Sequence, residues 1–236
     1  MLRLIKLECK KDNLKNMVRG AVILTICLVL LMVLFGTIGE IVEDEEVVFE
    51  NAAMVITLAD LFVRASYIIF AGVLVAKVII SEFQNGTIRN LFVYPISRKQ
   101  LLTSKLVLVF VFTFIWYLIS IAVILICMVI LNQFIRIVPD ALSISLILKS
   151  APSILTGAFF TSGIGLISLF FGLKRKSQIA TIVSSVCIAS LLTQNNFGGN
   201  AGDTLFSIVA IPIVLCMLGI AVAVYSFRNI NKVDIN

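Results

Sequence analysis

The sequence predicts an all-α integral membrane protein with six transmembrane helices. Of its 236 residues, 60% are hydrophobic and only 14% are charged, and the mean hydropathy is +1.11. A soluble domain of this length has too little interior to enclose so much apolar surface. The chain also contains no histidine, which excludes histidine-based triads, HExxH zinc sites and imidazole proton relays.

The six helices rest on apolar stretches close to the length of about 20 residues that crosses a bilayer. In chain order these stretches are 20–39, 61–80, 106–131, 151–173, 179–193 and 205–227. The second begins nearer Ala52 if Asp60 and Arg64 lie in the outer headgroup layer. The fifth is short, so it requires a thin region of bilayer or completion by residues 194–197. We expect one transmembrane domain over residues 1–236.

Basic residues predict the orientation, because lysine and arginine concentrate on the cytoplasmic side of membrane proteins. With both termini cytoplasmic, 16 lysines and arginines lie inside and 3 lie outside. The three outer ones are Arg64, Arg136 and Lys149. The excess of positive charge therefore reflects topology, and nucleic-acid binding is disfavoured.

The N-terminal segment predicts an amphipathic elbow helix in the membrane interface. Leu4, Leu7 and Leu14 can share one helical face while Lys6 and Lys10 point away, and such helices lie in the interface plane. A plain basic flank that anchors the first span is the alternative. A cleaved signal peptide is disfavoured, because the apolar run is long and no A-x-A-like site follows it.

Other candidate chemistry is sparse. The five cysteines match no disulfide framework and no zinc or haem spacing, so we expect no catalytic residue and no metal site. Acidic residues crowd the first outer loop, where they form either a solvated loop or an electrostatic surface near the exit of a pathway. They are Glu40, Glu43, Asp44, Glu45, Glu46 and Glu50.

The most informative segment is the polar stretch 81–105 between the second and third spans. It combines an acidic residue, a Gly-Thr turn, a short amphipathic run and a Pro-x-Ser-Arg break. The candidate contact residues are Glu82, Gly86, Thr87, Arg89, Leu91, Phe92, Tyr94, Pro95, Arg98 and Lys99.

Each residue type in this stretch suits a docking element. Gly86 allows the backbone to turn before the short helix, and Pro95 disfavours the helical conformation at Tyr94. Arg98 and Lys99 can reach acceptors on a protein partner or on lipid phosphates. The alternative is an ordinary polar loop that holds two helices in register.

In order, spacing and position this stretch resembles the coupling loop of type 2 ABC exporter permeases. In that class a short helix of the loop docks into a cleft of the ATPase subunit. Size and short loops further resemble the small permeases of peptide systems, such as the staphylococcal exporter of phenol-soluble modulins. The resemblance implies an ABC ATPase partner carrying ATP and Mg, a second permease copy or homologous permease, and a bacterial plasma-membrane location.

The source of energy is also indicated by what the chain lacks. It contains no G-x-x-x-x-G-K-[ST] motif for binding ATP, so no cofactor is expected in this chain. Ion-driven transporters usually keep ionisable groups near the membrane midplane. Asp60 and Arg64, four residues apart, can pair on one helical face near the outer end. A separate subunit is therefore the expected source of energy.

Small and hydroxylated residues recur on spans four and five. They predict either close packing within the chain or a substrate path lined by small and polar groups. The path candidates are Gly157, Thr161, Gly165, Ser184 and Ser185.

These patterns and the resemblance together predict the membrane subunit of an ATP-driven exporter, and the resemblance to peptide permeases implies an amphipathic or hydrophobic peptide as the substrate. Export of a drug, a lipid or sodium is the first alternative. A non-transport membrane scaffold is the second. A membrane-embedded enzyme is third, since the spans lack histidine, paired acids and a metal set.

Overall fold

The computed structural model describes residues 14–41, 52–84, 98–135, 144–175, 177–197, 213–217, 219 and 221. All regular structure within these residues is helical. The second helix is continued by the π-helix Ala76–Ile80 and by the helical turn Ser81–Gln84. In chain order the helices are α1 (Leu14–Ile41), α2 (Ala52–Val75), α3 (Arg98–Ile135), α4 (Ile144–Gly165), α5 (Ser168–Arg175) and α6 (Gln178–Phe197).

Helix α2 is the central element of the bundle. It contacts α1, α3, α4 and α6, and its π-helical continuation contacts α3, α5 and α6. Small residues on several faces, among them Ala59, Ala71 and Gly72, are buried and let these neighbours approach closely. Burial distinguishes α2 from α1 and α3: 67% of its most apolar stretch is covered, against 22% for α1 and 33% for α3. A displacement of α2 is therefore felt by most of the described bundle.

The outer surfaces of α1 and α3 are apolar. On α3, Val107, Val111, Ile115, Ile119 and Val123 recur every four residues and are all exposed. Such a continuous apolar stripe is unusual on a soluble monomer but is expected where a helix faces lipid. The observed surface therefore agrees with membrane insertion.

A buried hydroxyl cluster joins α1, α2 and α3. Ser120 Oγ lies 2.5 Å from Thr25 Oγ1 and 2.6 Å from the Tyr67 hydroxyl oxygen. Thr25 donates its own hydrogen to the Ala21 carbonyl at 2.8 Å. Because each hydroxyl carries one hydrogen, Ser120 must donate to Thr25 and Tyr67 must donate to Ser120. This directional chain fixes the register of three helices where no water competes for the bonds.

Five of the predicted spans correspond to described helices. Four are long and apolar enough to cross a membrane: Lys15–Thr37, Ala52–Ile80, Leu102–Gln133 and Leu146–Arg175. Gln178–Leu192 is a shorter apolar helix. Most of the sixth predicted span, 205–227, lies outside the described residues, although 213–217 is helical. Six spans and their orientation thus stay a prediction.

The structure shows where the first two spans begin. Helix α2 begins at Ala52, the earlier of the two starts that the sequence allows, so Asp60 lies two turns inside it. Residues 14–18 of the predicted elbow belong to α1, which is continuous with the first span. The rest of the elbow, residues 1–13, lies outside the described residues.

The fourth predicted span is interrupted. Residues 166–167 form a turn between α4 and α5, with the Leu166 amide donating to the Gly163 carbonyl at 3.1 Å. The Ile167 amide donates to the Ile164 carbonyl at 2.9 Å, so the bonds close over three residues rather than four. The sequence predicts a continuous span over 151–173 because hydropathy does not register a change in the hydrogen-bond step.

Candidate functional site

The predicted coupling segment is described at both of its ends. Residues 85–97 lie outside the described residues, and with them Gly86, Thr87, Arg89, Leu91, Phe92, Tyr94 and Pro95. The structure places the backbone of Glu82 in the helical turn Ser81–Gln84. It places Arg98 and Lys99 in the first turn of α3. The roles of all ten predicted contact residues stay predictions.

The C-terminal end of α2 continues into a π-helix that the sequence does not predict. The Ser81 amide donates to the Ala76 carbonyl five residues earlier, and the Ser81 hydroxyl donates to the Lys77 carbonyl. Rare wide turns of this kind often mark functional positions in helices. The sequence of this turn, Ala-Lys-Val-Ile-Ile, has no proline or glycine that would reveal it.

The N-terminal part of α3 is joined to this π-helix through Lys105. The Lys105 side chain is 1% exposed, and its Nζ donates to the Val78 carbonyl at 3.2 Å. The sequence predicts Lys105 as the last residue of the polar segment 81–105, and only the tertiary structure shows that it is buried.

An apolar cluster surrounds this junction. It contains residues from α1, α2, the π-helix, α3, the turn before α5 and α5 itself, and Val78 is one of its members. Its other buried members are Met17, Leu74, Val75, Ile79, Ile80, Leu102, Leu106, Val109, Leu166 and Leu169. The two helices that flank the coupling segment therefore enter one common packed region.

A second polar cluster lies nearer the N-terminal end of α2. Arg64 Nη2 is 2.5 Å from Asp60 Oδ2, which confirms the predicted pairing of these two residues. Tyr117 of α3 donates its hydroxyl hydrogen to Asp60 Oδ1. Gly157 of α4 makes room for the guanidinium, since a Cβ there would lie 2.6 Å from Arg64 Nη2. The ion pair is thus held by three helices.

The sequence does not reveal either of these neighbours. It predicts Gly157 as a substrate-path residue, and no local pattern distinguishes Tyr117. The pair packs beside Tyr117, which falls near the middle of the apolar stretch Leu102–Gln133. Mutual neutralisation by Asp60 and Arg64 explains how two charges fit among such apolar helices.

The predicted path residues lie against α2 or inside the bundle. Gly165 faces Ala71, and Ser185 faces Gly72 so closely that a Cβ on Gly72 would collide with it. Thr161 is buried, and the Ser184 hydroxyl donates to the Thr181 carbonyl at 2.8 Å. In this arrangement a substrate path along these residues requires α2 to separate from α4 and α6. Their role in transport stays a prediction.

Potential metal ligands do not converge in the described part of the chain. No group of three or more histidine, cysteine, aspartate or glutamate side chains comes together there. Cys27, Cys127, Cys187 and Cys216 are free thiols. The Cys216 thiol lies where a Cβ on Gly163 would stand, which brings residues 213–217 against α4.

The fold and its polar clusters define a multi-pass membrane protein. The sequence profile of the family described as ABC-2 family transporter protein matches residues 4–193. The chain belongs to this family, whose members are the membrane components of ABC transporters. Hydrolysis of ATP in such transporters takes place on a separate ATPase component.

One relative extends over the whole chain. The Bacillus subtilis (strain 168) protein named Uncharacterized protein YcbO is 34% identical over 233 residues, covering 99% of this chain and 100% of that protein. No solved structure matches significantly. These comparisons confirm the predicted transporter class, while the resemblance to peptide-exporting permeases stays a prediction.

Proposed function

We propose that this chain is the membrane-spanning subunit of an ATP-driven exporter that is powered through the segment 81–105. The observation that carries the proposal is the course of α2. This central helix contacts α1, α3, α4, α5 and α6, and it runs directly through the π-helix into the start of the segment. A push on the segment by a docked ATPase would therefore reach most of the bundle through one rigid element.

The proposed partners follow from the family. ABC-2 membrane components typically work with an ABC ATPase, which would bind ATP and Mg. We propose that two copies of this chain, or this chain and a homologous permease, assemble with two such ATPases in the bacterial plasma membrane. Amphipathic or hydrophobic peptides are the proposed substrates. This proposal is based on the resemblance to peptide-exporting permeases and on the apolar outer surfaces of the bundle.

The proposed topology has six spans with both termini in the cytoplasm. Its support includes the placement of basic residues in the fold. Gly172 of α5 contacts Ile80 at the inner end of α2, and α5 ends in the exposed residues Lys174 and Arg175. The basic end of α5 and the coupling segment thus lie at the same end of the bundle, as the cytoplasmic assignment requires.

Thiol labelling tests this topology. In a variant without the five native cysteines, single cysteines replacing Glu45 and Asn200 should react with an impermeant thiol reagent in intact cells. A cysteine replacing Arg175 should react only after the membrane has been opened. Reaction at Arg175 in intact cells would contradict the cytoplasmic assignment of α5.

Transport by the copurified complex tests the proposed function. We expect the unaltered chain to copurify with an ATPase subunit and, in vesicles, to move a fluorescent amphipathic helical peptide when ATP is supplied. Arg98→Glu reverses a docking charge, and Gly86→Val hinders the turn. Both should reduce transport by about tenfold, a usual size for coupling between two sites.

Arg175→Glu is the matched control, because it reverses another exposed basic residue at the same end of the bundle. It should transport normally. Parallel vesicles contain a cationic dye, a labelled phospholipid or a sodium indicator. Movement of one of these without movement of the peptide would replace the peptide proposal. An ATPase that binds but drives no transport would indicate a scaffold.

A further inference from the structure

The burial of Lys105 is costly and calls for a physical reason. Its side chain is among the largest that are fully buried, together with aromatic and aliphatic residues. Lysine is almost never fully buried unless its amino group is paired, because removing that group from water costs several kcal/mol. An apolar residue at this position would fill the same space without the cost. The amino group is therefore the informative part of the side chain.

A hydrogen bond of Lys105 joins two positions of the chain, one before the coupling segment and one at its end. Its acceptor, the Val78 carbonyl, is 27 residues earlier in the chain and lies within the π-helix. One hydrogen bond thus connects the exit of α2 with the entry of α3. Ser81 adds a second constraint on the α2 side by donating its hydroxyl hydrogen to the Lys77 carbonyl. The chain is therefore held in place both before and after residues 85–97.

The surroundings of this contact exclude water. Val78 and Leu106 are both buried members of the inner apolar cluster. A hydrogen bond in such a place is stronger than one in water, and leaving a buried partner unbonded is correspondingly expensive. The contact between Lys105 and Val78 should therefore persist while the helices around it move.

We propose that Lys105 is a positioning residue that clamps the exit of α2 to the entry of α3. The clamp makes the two helices move as one unit when the segment 81–105 is displaced by the ATPase. It rests on the proposed function, because it assumes that this segment receives the displacement. Without the clamp, the two helices would still be joined by their other contacts, but the ends next to the segment would be free to shift against each other, and part of each displacement would be lost as relative motion.

The chemistry of the clamp suits a long basic side chain. The acceptor is a backbone carbonyl, so the bond does not depend on the identity of residue 78. Arginine can also span this distance and donate to a carbonyl, whereas methionine fills a similar volume without a donor. The substitutions Lys105→Arg and Lys105→Met therefore separate the hydrogen bond from simple filling of space.

The first test measures peptide transport per ATP hydrolysed by the copurified complex in vesicles. Lys105→Met should insert, bind the ATPase and leave its basal ATP hydrolysis unchanged, but transport per ATP should fall by about tenfold, as for the loss of coupling between two sites. Lys105→Arg should regain most of the transport. Lys77→Met, which removes an exposed lysine beside the clamp, should have no effect.

Normal transport by Lys105→Met with its ATPase bound would overturn the clamp and leave the proposed function intact. Failure of the unaltered chain to bind an ATPase, or normal transport by Arg98→Glu, would instead remove the proposed function. A loss of transport by Lys105→Arg equal to that of Lys105→Met would also count against the hydrogen bond.

A second measurement does not depend on whether Lys105→Met folds. Spin labels at the exposed positions Lys77 and Val107 report the distance between the inner ends of α2 and α3. In the otherwise unaltered complex, this distance should be the same without nucleotide and after trapping with ATP and vanadate. A change of distance between the two states would show that α2 and α3 move separately, which contradicts the clamp.

Discussion

Replacing Asp60 by alanine is expected to lower the free energy of unfolding of this protein by about 3–5 kcal/mol, the usual cost of removing one partner of a buried ion pair. The substitution leaves the Arg64 guanidinium without its carboxylate inside the bundle, where the pair is only 29% and 14% exposed for Arg64 and Asp60. It also removes the acceptor of the Tyr117 hydroxyl. Denaturant titration in mixed micelles measures the change.

The matched control is Thr57→Ala, because Thr57 lies one turn earlier on α2, is exposed and bonds only to its own helix. It should change stability little. Replacing both charges, with Asp60→Leu and Arg64→Met, should recover most of the loss, since an apolar pair needs no neutralisation. If Asp60→Ala were as stable as Thr57→Ala, the cluster would not hold the helices together.

The second large effect is expected at the contact between α2 and α6. Gly72→Ala should destabilise the protein by about 1–3 kcal/mol, because overfilling a well-packed contact forces neighbouring groups apart. A Cβ on Gly72 would collide with both Cβ and Oγ of Ser185. In a helix without this contact, the same substitution would stabilise by up to about 1 kcal/mol, so the sign of the effect identifies the contact.

The partner substitution provides the control. Ser185→Gly removes both colliding atoms, and the Ser185 hydroxyl bonds only to the Ile182 carbonyl of its own helix at 2.7 Å. The double variant Gly72→Ala with Ser185→Gly should therefore be more stable than Gly72→Ala alone. Val73→Leu, at the exposed neighbouring position, should be neutral. Additive effects of the two substitutions would mean that the residues do not touch.

The sequence predicts those features that depend on local spacing. The pairing of Asp60 with Arg64 follows from their separation of four residues on a helix. The apolar spans follow from composition in the same way. The start of α2 is left open between Ala52 and residue 61, because a hydropathy average counts both charges of the pair against the membrane, whereas the folded protein cancels them.

Features that join distant parts of the chain are not readable from the sequence. Tyr117 bonds to Asp60 across 57 residues, and Lys105 reaches Val78 across 27. Both contacts depend on how α2 and α3 pack, and neither residue has a local pattern that distinguishes it from a packed tyrosine or a loop lysine. The π-helix is hidden for a related reason: its apolar residues are equally compatible with an ordinary α-helical turn.

The length of α3 has a consequence for how far the protein reaches from the membrane. Its 38 residues form a rod about 57 Å long. Even at a tilt of about 40°, the upper end of the usual range, such a rod extends about 44 Å along the membrane normal. The hydrocarbon layer is only about 30 Å thick. At least one end of α3 must therefore stand in the headgroup layer or in the water beyond it. If the whole excess of about 14 Å lies at its beginning, Arg98 stands about 14 Å outside the hydrocarbon, and Lys105, about 8 Å deeper at this tilt, still stands in the headgroup layer.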